Sequence, residues 1–172
     1  MANIFEPEWI ERDQSPLIGR AARVGAQAGA ERLGATLYEI DAGGHGSPFH
    51  LHHSNEEMIV VLTGRPTLRT LDGTRELEAG EVVACPVGRR GAHQLQNNTG
   101  EPLRVLVIST MVYPEVAEQL DSDKILVQSA PPGTADRLAL AFPRNAQVDR
   151  LAGELRSSPP CSEFRGESRP LP

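Results

Sequence analysis

Between Leu33 and Met111 no apolar run is long enough to make a helix before a turn signal cuts it off. Ala35–Ile40 ends in the loop Asp41-Ala42-Gly43-Gly44-His45-Gly46-Ser47-Pro48. Phe49–His52 is short, and Met58-Ile59-Val60-Val61-Leu62 is a continuous apolar run stopped by Gly64. Thr67–Leu71 and Thr74–Leu77 flank Asp72-Gly73, a two-residue hairpin signal. Val82–Cys85 lies between Gly80-Glu81 and Pro86-Val87-Gly88; His93–Gln96 and Leu103–Thr110 flank the turn Asn97-Asn98-Thr99-Gly100. Segments this short bury apolar surface only by pairing as strands, so the core is an all-β sandwich or barrel. Pro66, which lacks an N–H, is expected at a strand start or edge.

The flanks carry weaker patterns. Residues 1–32 read as an N-terminal arm with edge strands, residues 33–112 as the β-barrel, and residues 113–172 as a C-terminal extension. Within that extension Pro114–Leu120 reads as one or two helical turns. Gln147–Leu155 places Val148, Leu151, Ala152 and Leu155 at the spacing of a short amphipathic helix. Residues 157–172 hold 4 of the 14 prolines and are expected to be poorly ordered or draped over the surface.

Composition narrows the partners. The chain carries 17 basic and 23 acidic residues, a formal charge of −6, and so has no general attraction to phosphate backbones or anionic lipid. Nucleic acid and membrane are therefore not expected as partners. No segment approaches the roughly 18 consecutive apolar residues of a membrane span. The first eight residues lack a basic end followed by an apolar stretch, so the cytoplasm is the expected compartment. Of the two cysteines, Cys85 lies in an apolar run and Cys161 in the Pro-rich tail. No disulfide framework is implied, and Cys85 reads as a small buried hydrophobe.

The chemistry concentrates in the histidines: His45, His50, His52, His53 and His93. In an extended segment residues two apart share a face, so His50 and His52 point together and Leu51 points away. Paired imidazoles make half a transition-metal site. Glu57 follows after a turn's length and can present a carboxylate from the start of the next strand. His93, at the head of a later strand, can close the site across a barrel. Histidine pairs also arise by chance in exposed loops, and the flanking glycines decide between the two readings.

Those glycines complete a known pattern. Gly44, five residues, His50-Leu51-His52, four residues, Glu57, six residues and Gly64 reproduce the first motif of the cupin superfamily. Gly80, five residues, Pro86-Val87-Gly88, then His93, three residues and Asn97 reproduce the second, with a two-residue expansion in Arg89-Arg90-Gly91-Ala92. The chain therefore resembles cupins over about residues 33–111. Asn3-Ile4-Phe5-Glu6-Pro7, Ala92-His93-Gln94-Leu95, Glu101-Pro102-Leu103 and Ser109-Thr110-Met111 further resemble a bacterial group of small single-domain cupins to which no particular reaction attaches. The resemblance implies a double-stranded β-helix (jelly roll) with short peripheral helices. It implies one divalent metal ion (Fe, Mn, Ni, Zn or Co) on His50, His52, Glu57 and His93, a small-molecule ligand or substrate, and a homodimer. The Ile4–Trp9 arm and the Pro-rich end are candidates for exchange in that dimer.

The remaining candidates read more plainly. Alternation turns His53 and Glu56 away from the site. His45 belongs to a Gly-rich loop. Arg89 and Arg90 read as a solvated loop rather than an anion clamp at the barrel mouth, while Phe49 and Gln94 flank ligands and are candidate cavity residues. Two functions fit: a metal-dependent enzyme on a small organic substrate (isomerase, dioxygenase, decarboxylase or cyclase), or a non-catalytic module that binds a metal or small ligand. A general acid or base beyond the ligands would separate them, and the sequence alone does not locate a catalytic residue. A cavity at the metal favours the enzyme; a barrel packed solid to it would refute that reading.

Overall fold

A computed structural model describes residues 1–154. In chain order the strands are β1 (Ile10–Gln14), β2 (Leu17–Ala22), β3 (Leu33–Ile40), β4 (His50–His52), β5 (Glu57–Thr63), β6 (Thr67–Thr70), β7 (Gly73–Glu76), β8 (Val82–Cys85), β9 (Gln94–Gln96), β10 (Leu103–Thr110), β11 (Glu115–Gln119), β12 (Lys124–Gln128) and β13 (Ala139–Pro143). Among the described residues a single short helix, α1 (Val24–Gln27), and two 3-10 turns, Arg89–Gly91 and Arg144–Ala146, accompany them. No helix among the described residues is long and apolar enough to cross a membrane.

The strands form antiparallel sheets in the orders β1-β2-β3-β10-β5-β8, β13-β12-β11-β4 and β7-β6-β9. This is a double-stranded β-helix: all-β as the short runs and turn signals predict, and a jelly roll as the resemblance implies. Ile40, Ile59, Val61, Leu68, Leu77, Leu95, Leu103 and Val105 pack the interior at one end, with Cys85 among them as expected. Every second residue of β3, β5 and β10 faces this interior, which is the period-two rule at work. Gly64 closes β5 at a φ of 81°, and a Cβ there would lie 2.5 Å from the Leu103 Cβ. Asn97 is fully buried and donates from Nδ2 to the carbonyl oxygens of Ile40 and Glu101, so the motif asparagine ties the turn before β10 to β3.

The N-terminal arm packs on its own chain: Ala2, Ile4 and Trp9 lie against a cluster of Ala22, Val24 and Leu37. The guanidinium groups of Arg20 and Arg104 face the Trp9 ring at 4.4 and 5.6 Å, and Glu39 accepts from both at 2.7 Å.

Two helical expectations fail. The segment Pro114–Leu120 is not helical but holds strand β11, which pairs with β4 on one side and β12 on the other. Its burial alternates, with Glu115 and Ala117 buried and Val116 and Glu118 half-buried. Pairing on both edges overrides a local pattern that fitted a helix equally well. Residues 147–149 have no regular structure and 150–154 form turns, in place of an amphipathic helix. Val148 is 76% and Leu151 41% exposed, so the stripe of apolar residues meets no surface to cover. Leu155, Cys161 and the Pro-rich stretch 157–172 lie outside the described residues. Strands β12 and β13 had no counterpart in the sequence reading.

Candidate metal centre

Strand β4 delivers the two imidazoles. Leu51 is 1% exposed against Phe49, Ala92 and Leu120 on one face, which turns His50 and His52 to the barrel interior. Glu57, the first residue of β5, points into the same space, while Glu56 is exposed. His93 immediately precedes β9 and is bridged to His50 by reciprocal backbone hydrogen bonds of 3.1 and 2.9 Å.

The four side chains converge on one atom. From Glu57 Oε2, the Nε2 atoms of His50, His52 and His93 lie at 3.9, 3.6 and 3.2 Å. His50, His52 and Glu57 offer ligand atoms that all lie within 4.8 Å of one another. Nitrogen and oxygen ligands sit about 2.1 Å from a divalent ion, which places neighbouring ligand atoms at about 3 Å. His93 falls outside that set of three and is tied to it by its Nε2, 3.2 Å from Glu57 Oε2.

The second nitrogen of each ring explains the orientation. His50 Nδ1 donates to the Pro48 carbonyl oxygen at 2.9 Å, and His93 Nδ1 donates to that of Gly91 at 2.9 Å. In the neutral ring those bonds select the tautomer with a bare Nε2 lone pair facing inward, the form that binds metals. His52 differs: both ring nitrogens are buried without a hydrogen-bond partner. A buried polar atom left unpaired is costly, and coordination of an ion satisfies Nε2. Its Nδ1 lies 3.5 Å from Glu115 Oε1. The residues present therefore fit a divalent cation.

The protonation of the cluster follows from its surroundings. Burial, with His93 and His52 adding to it, lowers the pKa of His50 to about 4 and keeps it neutral. Burial opposes a charge on His93 as well, but Cys85 and Glu57 beside the ring outweigh it and raise the pKa to about 10. His52 is raised too, its burial outweighed by Glu57 and Glu115. Burial would raise Glu57, yet the His52 and His93 rings beside it hold it well below the usual carboxylate range.

Two spaces open onto the cluster. A cavity of about 490 Å³ reaches His52 and Glu57 between α1, the inner faces of β3 and β10, and Pro131-Pro132. A pocket of about 50 Å³ reaches His50, His93 and Glu57 from the other side. Tyr38 and Val107 line both.

Several polar residues here were not singled out in the sequence. Glu115 is 4% exposed, accepts from the His53 amide at 3.2 Å and from Asn55 Nδ2, and lines the cavity. Asn55 is itself buried and accepts the Val112 amide at 2.7 Å. Alternation through Glu115-Val116-Ala117-Glu118 was the one signal that could have placed Glu115 on the His52 face. Tyr38 shares a face of β3 with Thr36 and Ile40, and burial raises its phenol pKa.

Other candidates fall elsewhere. His53 is 47% exposed and bonds Glu118 at 2.8 Å. His45 is half-buried near Gln94. Arg89 and Arg90 are exposed in the 3-10 turn. Phe49 does not line the cavity: it packs with Leu51 and carries the Arg69 guanidinium 4.1 Å above its ring. Gln94 is buried and donates to the Ser47 carbonyl oxygen at 3.1 Å.

Fold and site together define a double-stranded β-helix with a histidine–carboxylate cluster facing an interior cavity. Residues 36–109 match the family described as Cupin domain, so the chain carries a cupin domain over that stretch. A sugar phosphate isomerase of the cupin superfamily from Silicibacter pomeroyi superposes with a TM-score of 0.73 at 23% identity, covering 84% of this chain and 93% of that one. A proposed sugar phosphate isomerase from Acidithiobacillus ferrooxidans gives 0.66 at 25% identity, with 78% and 81% covered. The polyketide cyclase RemF from Streptomyces resistomycificus gives 0.52 at 26% identity, with 64% and 78% covered. No curated protein sequence matches the chain.

Proposed function

We propose that this protein is a metal-dependent enzyme that binds one divalent ion (Fe, Mn, Ni, Zn or Co) on His50, His52, Glu57 and His93. It acts on a small organic substrate held in the larger cavity. One observation carries the reading: a cavity of about 490 Å³, within the range of small-molecule sites, ends on His52 and Glu57 rather than on packed side chains. The ion would supply Lewis acidity to a carbonyl or hydroxyl of the substrate. The chain supplies the rest. Ala35, Val107 and Met111 give apolar walls that exclude water, and Thr36, Ser109 and Gln128 give polar points of orientation. The Tyr38 phenol, beside Glu57 on the cavity wall, is the candidate proton carrier.

Among reactions found on cupin barrels, we favour isomerisation or cyclisation of a carbonyl compound. Such a reaction needs one Lewis acid and one proton carrier and no further co-reactant. The activities named for the neighbours at 25% and 26% identity accord with it.

The test begins with elemental analysis of protein purified without a chelating tag, beside His50→Ala/His52→Ala. The wild type should hold one divalent ion per chain and the double variant almost none; equal metal content would refute the site. Metal-loaded Tyr38→Phe should keep its ion and lose turnover of a carbonyl substrate found by screening. A loaded wild type that binds such compounds and returns all of them unaltered would point instead to a binding module.

A further inference from the structure

The charge pattern of the larger cavity narrows what can enter it. Among the described residues its lining holds one arginine, Arg23, and three carboxylates, Glu31, Glu57 and Glu115. Arg23 and Glu31 are exposed, so both belong to the mouth, where solvent screens them. Glu57 and Glu115 stand at the inner end, their side chains 14% and 5% exposed. With a divalent ion on the cluster, the lining as a whole still has no surplus of positive charge. A phosphate or carboxylate taken out of water needs charge-assisted donors, in proteins most often an arginine fork or a lysine. Inside the mouth, an anionic group on the body of a ligand would meet two glutamates instead.

The neutral polar groups do not make up for that. Asn55 is spent on the protein: Nδ2 donates to Glu115 and to the Val112 carbonyl oxygen at 3.1 Å, and Oδ1 accepts the Val112 amide at 2.7 Å. Gln128 Oε1 accepts from Arg137 Nη2 at 2.6 Å. What remains is the Gln128 amide nitrogen and the hydroxyls of Thr36, Tyr38, Ser109 and Tyr113. Hydroxyls can orient a few neutral oxygens but cannot neutralise an anion. Between them the surface is hydrocarbon: half-buried Ala35, Val107 and Met111, rimmed by the exposed Ala30, Leu33 and Pro132. Such a wall is stabilised by covering it with apolar surface.

We infer that the substrate of this cavity is a neutral carbonyl compound with an apolar body, and that compounds with a phosphate or carboxylate on that body, sugar phosphates included, are excluded. The inference rests on the reading of this cavity as the substrate site of a metal centre, and adds the charge and character of what it takes. Selection comes from both sides: the hydrocarbon wall favours the apolar body, and the unpaired carboxylates reject an anion.

The test uses cobalt(II)-loaded protein, its uptake measured by elemental analysis, and two probes read by the visible cobalt bands and by calorimetry. One is 1-hydroxy-2-acetonaphthone; the other is the same ketone with a sulfonate on the distal ring. Both offer the ion the same two oxygens and differ in charge at the far end. The sulfonated ketone should bind about tenfold or more weakly than the neutral one, and ribose 5-phosphate more weakly still. Met111→Lys, which keeps an unbranched stem and adds a cation to the wall, and Ala30→Lys, which adds one at the exposed rim, should each tighten the sulfonated probe about tenfold. Arg23→Gln should leave the neutral ketone within about twofold. A sulfonated ketone or ribose 5-phosphate bound as tightly as the neutral ketone overturns the inference and leaves the metal reading intact. So does loaded protein that binds neither ketone, or a failure of both lysine variants to tighten the sulfonated probe. A wild type that takes up no cobalt overturns both readings.

Discussion

His93 holds the sharpest conflict in the centre. To ligate a metal its Nε2 must be bare, yet Cys85 and Glu57 beside the ring raise its pKa to about 10 in the metal-free protein. A proton therefore occupies the His93–Glu57 contact until an ion displaces it. The raised value fixes the sign of the pH dependence. The stability that this proton contributes is full below the unfolded value of 6.5 and is lost as the pH rises from there through about 10. His52, also raised, adds in the same direction. On the acid side two effects oppose. His50, lowered to about 4, disfavours the fold as the pH drops below 6.5. The depressed Glu57 contributes stability above its unfolded value of 4.5 that is lost as the pH falls through its folded one. The alkaline limb is thus the clean one. Metal-stripped protein should melt at progressively lower temperature between pH 6.5 and 10, and His93→Gln should flatten that slope. Divalent-ion affinity should rise over the same range. A melting temperature that climbs with pH would contradict the protonated His93.

At the scale of elements, the two-residue expansion before His93 proves to be structure and not slack. Arg89–Gly91 is a 3-10 turn whose Gly91 carbonyl accepts from His93 Nδ1 at 2.9 Å, so the turn aims the ring. Gly91 is packed so closely that a Cβ would run into the Pro86 carbonyl oxygen. Gly91→Ala must move the turn and with it His93. The expected cost is about 1–3 kcal/mol of stability and about tenfold or more in metal affinity. Denaturant melts and competition with a chelator measure the two. Unchanged affinity would mean that His93 is not held by this turn. Strand β11 plays the matching part for His52: by pairing with β4 it sets Ala117 opposite His52 and brings Glu115 beside its Nδ1.

At the scale of the molecule, the centre lies where strands from different sheets meet. β4 belongs to the four-stranded sheet and β5 to the six-stranded one, while His93 precedes a strand of the third. An ion held by all three clamps the barrel in its native state only. Saturating metal at about 100 times its Kd should add about 2.7 kcal/mol, a rise of roughly 5–10 °C in melting temperature for a chain of this size. A chelator should reverse the rise, and His50→Ala/His52→Ala should show none. A metal shift of equal size in that variant would place the stabilising ion elsewhere.

Alternation, turn residues and fixed spacings are local, and they sufficed for the barrel core. Val82–Cys85 and Leu103–Thr110 form strands with the bounds that their apolar runs and turns suggest. His50-Leu51-His52, Glu57 and His93 were legible because residues two apart in a strand share a face and the motif glycines mark where each strand ends. Other features depend on chain segments far apart, and there local pattern is silent or misleads. Pro114–Leu120 fits a helix until β4 and β12 pair with it on both edges. Glu115 becomes a neighbour of His52 only through that pairing, across 62 residues from His53. The two unequal openings likewise arise from β3, β5 and β10 meeting around Tyr38, Glu57 and Val107. Ligand identity was written in local periodicity; the space around the ligands was decided by long-range packing, because a cavity is bounded by residues that share no local pattern.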